Sequence, residues 1–230
     1  MSTLPTQGSQ TVEALVSFLA QQVSQLPNGA RYILGIVGYP GAGKSTVSEW
    51  LVSGVNEKLA EQPAMVVPMD GYHYSNEKLE EIGLLPLKGI PDTFDSLAFI
   101  ELLKKLRTVT DTKVYCPLFD RSIEASIPDA IVIEPKHKLC VVEGNYLLYE
   151  KKPWDECKNY FDEVWFLDVS FDTILPRLQE RHEAGGRTVE GAKAKVESTD
   201  LPNARLVDAT KHRAHRILDI VSEPVVVASS

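Results

Sequence analysis

Gly38-Tyr39-Pro40-Gly41-Ala42-Gly43-Lys44-Ser45 fits the pattern GxxxxGK[ST], and Thr46 follows it. Glycines in such a loop let the backbone turn with its N–H groups inward, forming a concavity for phosphate oxygens. A helix opening at the loop's end adds partial positive charge. Lysine at the Lys44 position reaches β- and γ-phosphates, and a hydroxyl at the Ser45 position binds Mg²⁺. Residues 38–46 are therefore the expected nucleotide site.

A nucleotide-bound metal also needs a carboxylate. Leu139-Cys140-Val141-Val142-Glu143-Gly144 reads as a strand ending in an acid. Open α/β sheets place their chemistry at the carboxyl ends of strands, which makes Glu143 the metal candidate and Asp168 its rival. Asp70 ends a second apolar run, Met65-Val66-Val67-Pro68-Met69. A carboxylate there could accept a proton from an attacking hydroxyl. Arg177, Arg181 and Arg187 lie on and after a helical pattern, and Gly185-Gly186 behind it permits a hinge. Arginines swung over a transferring phosphoryl group would stabilise its charge and exclude water.

These side chains need a scaffold. Tyr32–Val37, Ala64–Val67, Leu139–Val142, Val164–Leu167 and Ile217–Val221 read as five buried strands. Helical patterns separate most of them, over Thr46–Leu59, Asp95–Leu106, Phe171–Glu183 and Asn203–His215. Alternating strands and helices imply an α/β fold with a parallel sheet and right-handed crossovers. Val12, Leu15, Val16, Leu19, Val23 and Leu26 predict an earlier amphipathic helix, and residues 1–10 read as a polar frayed end. Tyr72–Pro91 reads as a long irregular loop of the functional kind. The expected organisation is a tail and helix at 1–30, one domain at 31–222 with a lid at about 177–200, and a tail at 223–230.

The chain has 230 residues and a formal net charge of −8. That balance argues against a nucleic-acid partner. No run approaches a membrane span or a secretory signal, and three cysteines without metal spacing read as free thiols, so the expected setting is cytoplasmic. From Arg177 to Arg216 nine cations face six acids, a net of +3 that leaves −11 elsewhere. A locally basic lid on an acidic body suits an enzyme that handles a small polyanion. His137, His182, His212 and His215 read as surface residues, and Trp50, Trp154 and Trp165 as core or interface packing.

No NKxD, DxxG or LSGGQ-like signature is present, which turns the reading from GTPases and ABC proteins towards a small kinase. Met69-Asp70-Gly71-Tyr72-His73, Lys88-Gly89-Ile90-Pro91-Asp92-Thr93-Phe94-Asp95 and Tyr115-Cys116-Pro117-Leu118-Phe119-Asp120-Arg121 add to the phosphate loop, with Glu143-Gly144-Asn145-Tyr146-Leu147-Leu148 and Asp200-Leu201-Pro202-Asn203-Ala204 beyond. Over about Ile33 to Val221 these motifs resemble the phosphoribulokinase/uridine kinase family of P-loop kinases. That family includes bacterial-type pantothenate kinases and a branch labelled as fructose-transport or nucleoside kinases.

The resemblance implies a P-loop NTPase fold whose five-stranded parallel sheet has the order 2-3-1-4-5. It implies ATP as phosphoryl donor, Mg²⁺ bound by Ser45 and Glu143, and Asp70 as catalytic base. Lys44, Arg177, Arg181 and Arg187 would serve the phosphates. Tyr72, His73, Tyr115, Asp120 and Arg121 would line the pocket of a small-molecule hydroxyl acceptor: a sugar, a nucleoside or a pantothenate-like alcohol. Relatives often have arginine before the KGxP turn where this chain has Leu87, so no acceptor contact carries over there. Two readings stay open beside the kinase: a nucleotide-dependent NTPase or binding module without a small-molecule acceptor, and a non-catalytic use of the fold. Monomer and homodimer are both compatible with the sequence.

Overall fold

In the computed structural model, residues 7–220 are described. The first part of the chain runs β1 (Gln7–Gln10), α1 (Val12–Ser24), β2 (Tyr32–Gly38), α2 (Lys44–Leu59), β3 (Ala64–Pro68), α3 (Asn76–Glu81) and α4 (Ser96–Thr108). It continues with β4 (Val114–Asp120), β5 (Ala125–Ile133), β6 (Leu139–Gly144), β7 (Glu163–Leu167), α5 (Phe171–Ala184), α6 (Val189–Lys195), α7 (Leu201–Asp208) and β8 (Arg216–Ile220).

All seven residues of β2 are buried. That burial explains its unbroken apolar run, because a central strand of a parallel sheet is covered on both faces. Its alternate residues serve two apolar layers. Ile33 and Val37 face the layer holding Phe99, Leu103, Leu106 and Val207, and Leu34 and Ile36 face the layer of Leu15, Leu19, Leu51 and Trp165. Helices α1 and α2 pack closely in the second layer: a Cβ at Gly54 would lie 2.6 Å from Val16 Cγ2.

The sheet order is β1-β8-β7-β2-β6-β3, and every neighbouring pair is parallel. Its five strands from β3 to β8 have the order that the family resemblance implies. Register then aligns their carboxyl ends. Glu143 sits opposite Ile36 of β2 and Pro68 of β3, and Gly38 sits opposite Leu167 of β7. The chain reverses its direction of sheet growth at β2, between β6 and β7, and a crevice opens at such a switch point.

Three expectations need correction, and one element was not anticipated. Gln7–Gln10 is a sixth parallel strand on β8 rather than a frayed end; a polar edge strand carries no periodicity to betray it. The segment 114–133 is an antiparallel hairpin, β4–β5, outside the main sheet. Pro117 and Pro128 and a mixed burial pattern hide it from a search for apolar runs. The 72–91 segment contains α3 and two 3₁₀ turns. The helix expected over Asn203–His215 stops at Asp208 and gives way to a 3₁₀ turn at Lys211–Arg213. Val221, the expected end of the last strand, lies outside the described residues. No helix among the described residues is long and apolar enough to cross a membrane.

Candidate active site

The loop from Gly38 to Gly43 joins β2 to α2, and Gly41 and Gly43 hold φ of 80° and 84°. Those left-handed conformations cost glycine little and other residues much. Gly43 is also the N-cap of α2, and no side chain caps the helix there. A Cβ at Gly43 would meet nothing within 4 Å, so the space beside the helix start is open. An uncapped helix N-terminus over an open cradle fits an anion. The Tyr39 side chain lies in the core. Its ring is buried against Phe166 and Phe171, and its hydroxyl donates to Asp208 Oδ1 at 2.7 Å. Only its carbonyl turns to the loop, where it accepts from Lys44 Nζ at 3.2 Å.

Ser45 Oγ donates to Glu143 Oε1 at 2.8 Å. Glu143 is 6% exposed. Burial pushes its carboxyl well up, Lys44 opposes that, and Asp70 reinforces it. Burial pushes the Lys44 ammonium down, while Glu143 and Asp70 hold it up. A hydroxyl and a buried carboxylate in contact beside a phosphate cradle form an oxygen donor pair of the kind Mg²⁺ takes. Asp168, the rival, lies across β2 and is held by Lys211 Nζ at 2.7 Å. No group of three or more His, Cys, Asp or Glu suited to a metal occurs among the described residues.

Asp70 stands on a 3₁₀ turn, Met69–Tyr72, directly beyond β3. Met69 is fully buried, and Gly144 must lack a Cβ because one would lie 2.6 Å from Met69 Cβ. A Cβ at Gly71 would lie 2.3 Å from Pro117 O of the hairpin. These close approaches fix the carboxylate between the sheet edge and β4. Gly71→Ala is expected to cost about 1–3 kcal/mol through overpacking. An unchanged urea midpoint would show that the hairpin yields instead.

The hairpin supplies Arg121, whose Nη2 donates to Asp70 Oδ2 at 2.8 Å. Phe119 collects three groups on its ring: Arg121, Lys88 at 5.0 Å and the His73 imidazole at 5.0 Å. His73 Nδ1 donates to the Asp70 carbonyl at 2.8 Å, and burial lowers its basicity. Lys88 Nζ donates to Asn76 Oδ1 at 2.8 Å and to Glu124 O at 3.0 Å. Asp70, His73 and Arg121 thus stand together.

The other three residues expected in the acceptor pocket make contacts of their own. Tyr72 stands edge-on against Phe99, Tyr115 is 52% exposed, and Asp120 accepts from Ser122 N and Oγ to close the hairpin turn. Lys88 and Phe119 were missed as site residues although both stand in motifs quoted above; nothing in sequence brings one to the other.

On the other side of the phosphate loop lies a cleft of about 770 Å³. Ala42, Thr46, Trp50, Asp168, Ser170, Thr173, Arg177 and Asp219 are among its lining residues. It draws on the loop, the end of β7 and the end of β8, so no single motif announces it. Arg177 Nη1 donates to Gly41 O at 3.4 Å. Arg181 and Arg187 are exposed, line no part of the cleft and make no ion pair among the described residues.

The histidines divide. His137 is buried, and its Nδ1 accepts from Glu134 N at 2.9 Å; His182 pairs with Asp200 at 2.6 Å. Both correct the surface reading, while His212 and His215 are exposed. Trp154 and Trp165 are core, and Trp50 lines the cleft.

No family model matches the chain. A Schizosaccharomyces pombe protein that carries a provisional uridine kinase name is 33% identical over 192 residues, 81% of this chain and 82% of its own. The uncharacterized Escherichia coli protein YggC is 33% identical over 84% of this chain and 79% of its own. A solved structure from Silicibacter sp. TM1040, provisionally described as a fructose transport system kinase, superposes with a TM-score of 0.82 at 34% identity. It covers 90% of this chain and 98% of that one. Saccharomyces cerevisiae YFH7 shares the fold at a TM-score of 0.76 and 20% identity, over 92% of this chain and 98% of its own. With the phosphate loop, the sheet order and these relatives in agreement, the chain belongs to the phosphoribulokinase/uridine kinase family of P-loop kinases.

Proposed function

We propose that this protein transfers the γ-phosphoryl group of ATP to the hydroxyl of a small-molecule acceptor. The observation that carries the reading is the meeting of Lys44, the Ser45–Glu143 pair and Asp70 at the aligned ends of β2, β6 and β3. Glu143 and Asp70 both oppose the downward push of burial on the Lys44 ammonium, which supports the reading.

In this reading residues 38–46 hold the phosphates and the cleft beside Trp50 takes the base. Ser45 and Glu143 hold Mg²⁺, which neutralises phosphate charge when bound. Asp70 orients the acceptor hydroxyl and accepts its proton as the oxygen attacks. Lys44 and Arg177 stabilise the charge that spreads over the transferring group. His73, Lys88, Phe119 and Arg121 border the acceptor. The protein mainly positions groups and supplies fixed charge, the usual economy of phosphoryl transfer.

A phosphate-transfer screen with mass detection, over sugars, nucleosides, hydroxy acids and pantothenate, tests the reading. Turnover of roughly 1–100 s⁻¹ on one acceptor class is the expected result. ATP hydrolysis at the same rate with every acceptor and with none would favour an NTPase. Arg177→Ala should lower kcat about 10–100-fold, the worth of one charge-assisted hydrogen bond. Steady-state kinetics at saturating ATP checks it, and an unchanged kcat removes Arg177 from the mechanism.

A further inference from the structure

Four buried side-chain polar atoms lack a hydrogen-bond partner among the described residues: Arg31 Nη2, Ser48 Oγ, Asn145 Oδ1 and Asp155 Oδ1. Buried polar atoms are nearly always paired, so each of these asks for a reason. Three lie off the carboxyl ends of the strands. Arg31 precedes β2 at the opposite end of the sheet, Ser48 lies inside α2, and Asp155 belongs to the 3₁₀ turn Trp154–Tyr160. Asn145 is different, because it directly follows β6, whose last residues are Glu143 and Gly144.

Register fixes where it stands. Gly144 sits opposite Val37, so Asn145 follows level with Gly38, the first residue of the phosphate loop. On the other side Glu143 sits opposite Pro68, and Asn145 and Asp70 are each two residues past that pair. A Cβ at Gly144 would lie 2.6 Å from Met69 Cβ, so the chain leaving β6 runs directly beside the turn that carries Asp70. The residues that follow are pinned. Tyr146, Leu147 and Leu148 are fully buried, and Tyr146 donates its hydroxyl to Gly89 O. Fixed flanks leave the Asn145 amide little freedom to find a partner elsewhere. Its Nδ2 makes no hydrogen bond with the described residues either. The chemistry of the orphan atom then selects its partner. A carbonyl oxygen accepts hydrogen bonds and donates none. Phosphate oxygens are acceptors too, so the phosphates of a nucleotide cannot satisfy it. A hydroxyl or an amide N–H can, and beside Asp70 the molecule that brings such groups is the acceptor.

We infer that Asn145 is a specificity residue whose Oδ1 accepts a hydrogen bond from a second donor group of the acceptor, a hydroxyl or an amide N–H, beside the hydroxyl that Asp70 serves. The inference rests on the kinase reading above. It narrows the substrate class to molecules with at least two such donors, polyols or hydroxy amides, and sets aside simple monohydric alcohols. A site with a buried acceptor oxygen rejects an analogue that lacks the donor, because the oxygen is then left unpaired.

Steady-state kinetics on matched acceptors tests this. The panel sets ribose and uridine against each of their monodeoxy forms, glycerate against hydroxypropionate, and pantothenate against the ester that replaces its amide N–H by oxygen. The first three arms probe a hydroxyl and the last an amide. In the class that the wild type phosphorylates, loss of one donor other than the reacting hydroxyl should lower kcat/KM about 10–100-fold. Asn145→Leu should lower kcat/KM on the complete acceptor by a similar factor and be indifferent to the missing donor, so the two losses do not add. Its urea midpoint should hold or rise, since an unpaired buried oxygen has gone. Asn145→Ala, which cannot clash, should show the same kinetic pattern and serves if leucine overpacks the position. Losses that add for every analogue overturn the inference. So does a lower urea midpoint with wild-type kinetics, the mark of a merely structural amide. Weaker binding of the Mg²⁺ complex of ATP with acceptor discrimination unchanged also overturns it, and would give the oxygen to a metal-bound water. Transfer by the wild type to no member of the panel defeats the kinase reading and the inference with it, whereas the other outcomes arise in an active enzyme and defeat the inference alone.

Discussion

Asp70→Asn is expected to keep ATP binding and to lose phosphoryl transfer by about 10²–10⁴-fold, the contribution of a positioned general base. Asparagine matches aspartate in shape and still offers Arg121 an acceptor oxygen, so the hairpin should stay in place. What it cannot do is take a proton. The carboxylate is fixed from three sides: Met69 is anchored in the core, Gly71 lies against Pro117, and Arg121 holds Oδ2 at 2.8 Å. Arg121→Gln separates the base from its ion pair. Removing the guanidinium should change KM for the acceptor more than kcat, because the pair is partly exposed and solvent screens it. Single-turnover kinetics on the acceptor found by the screen gives the answer. Wild-type transfer in Asp70→Asn would mean that another group, or none, removes the proton.

The second large effect belongs to Lys44. Lys44→Met should reduce transfer by about 10³-fold, the scale on which a cation at the transferring phosphoryl group acts. Unlike Asp70→Asn, it should also weaken ATP binding, since in the proposed mechanism Lys44 faces the phosphates before and during transfer. A further consequence follows from the buried acid. Burial and Asp70 push the Glu143 carboxyl up, and Lys44 is the largest opposing influence. Without the cation the carboxyl moves higher still, and more of it is protonated at any given pH. The pH at which Mg²⁺-dependent ATP binding is half-maximal should therefore rise in Lys44→Met, as calorimetry over a pH series would show. An unshifted midpoint would separate Lys44 from Glu143 and leave the metal assignment without its electrostatic support.

The two variants dissociate the halves of the site. One loses the base and keeps the nucleotide; the other weakens nucleotide binding and transfer together. A protein that only hydrolysed ATP would suffer from Lys44→Met and be largely indifferent to Asp70→Asn.

Much of the scaffold was legible because it is written locally. An apolar run with a glycine-rich end and a helix behind it has few other ways to fold, so the phosphate loop and the five central strands could be read in order. Asp70 and Glu143 could be read as well, because each ends a strand and a parallel sheet brings strand ends together. Other elements gave no such signal. Gln7–Gln10 is a strand because β8 offers an open edge, and the β4–β5 hairpin exists although prolines interrupt both of its strands. His137 is charged or polar by type, yet it is buried because its ring closes a turn at Glu134 while its carbonyl accepts from Arg31.

What the sequence determined alone is which residues stand at the strand ends: a glycine-rich loop with Lys44 and Ser45 after one, Glu143 at a second and Asp70 after a third. Spacing along the chain suffices for these, since the residues that act together are neighbours or occupy equivalent ends of neighbouring strands. Tertiary structure decided which long side chains from distant segments meet. It turned Tyr39 into the core, put Arg121 on Asp70, drew the cleft from three segments, and tied the carbonyls of Pro86, Lys88 and Gly89 to Lys195 and Asn203. Contacts of that kind depend on how helices and loops pack over the sheet, and packing follows from the whole core rather than from any local pattern.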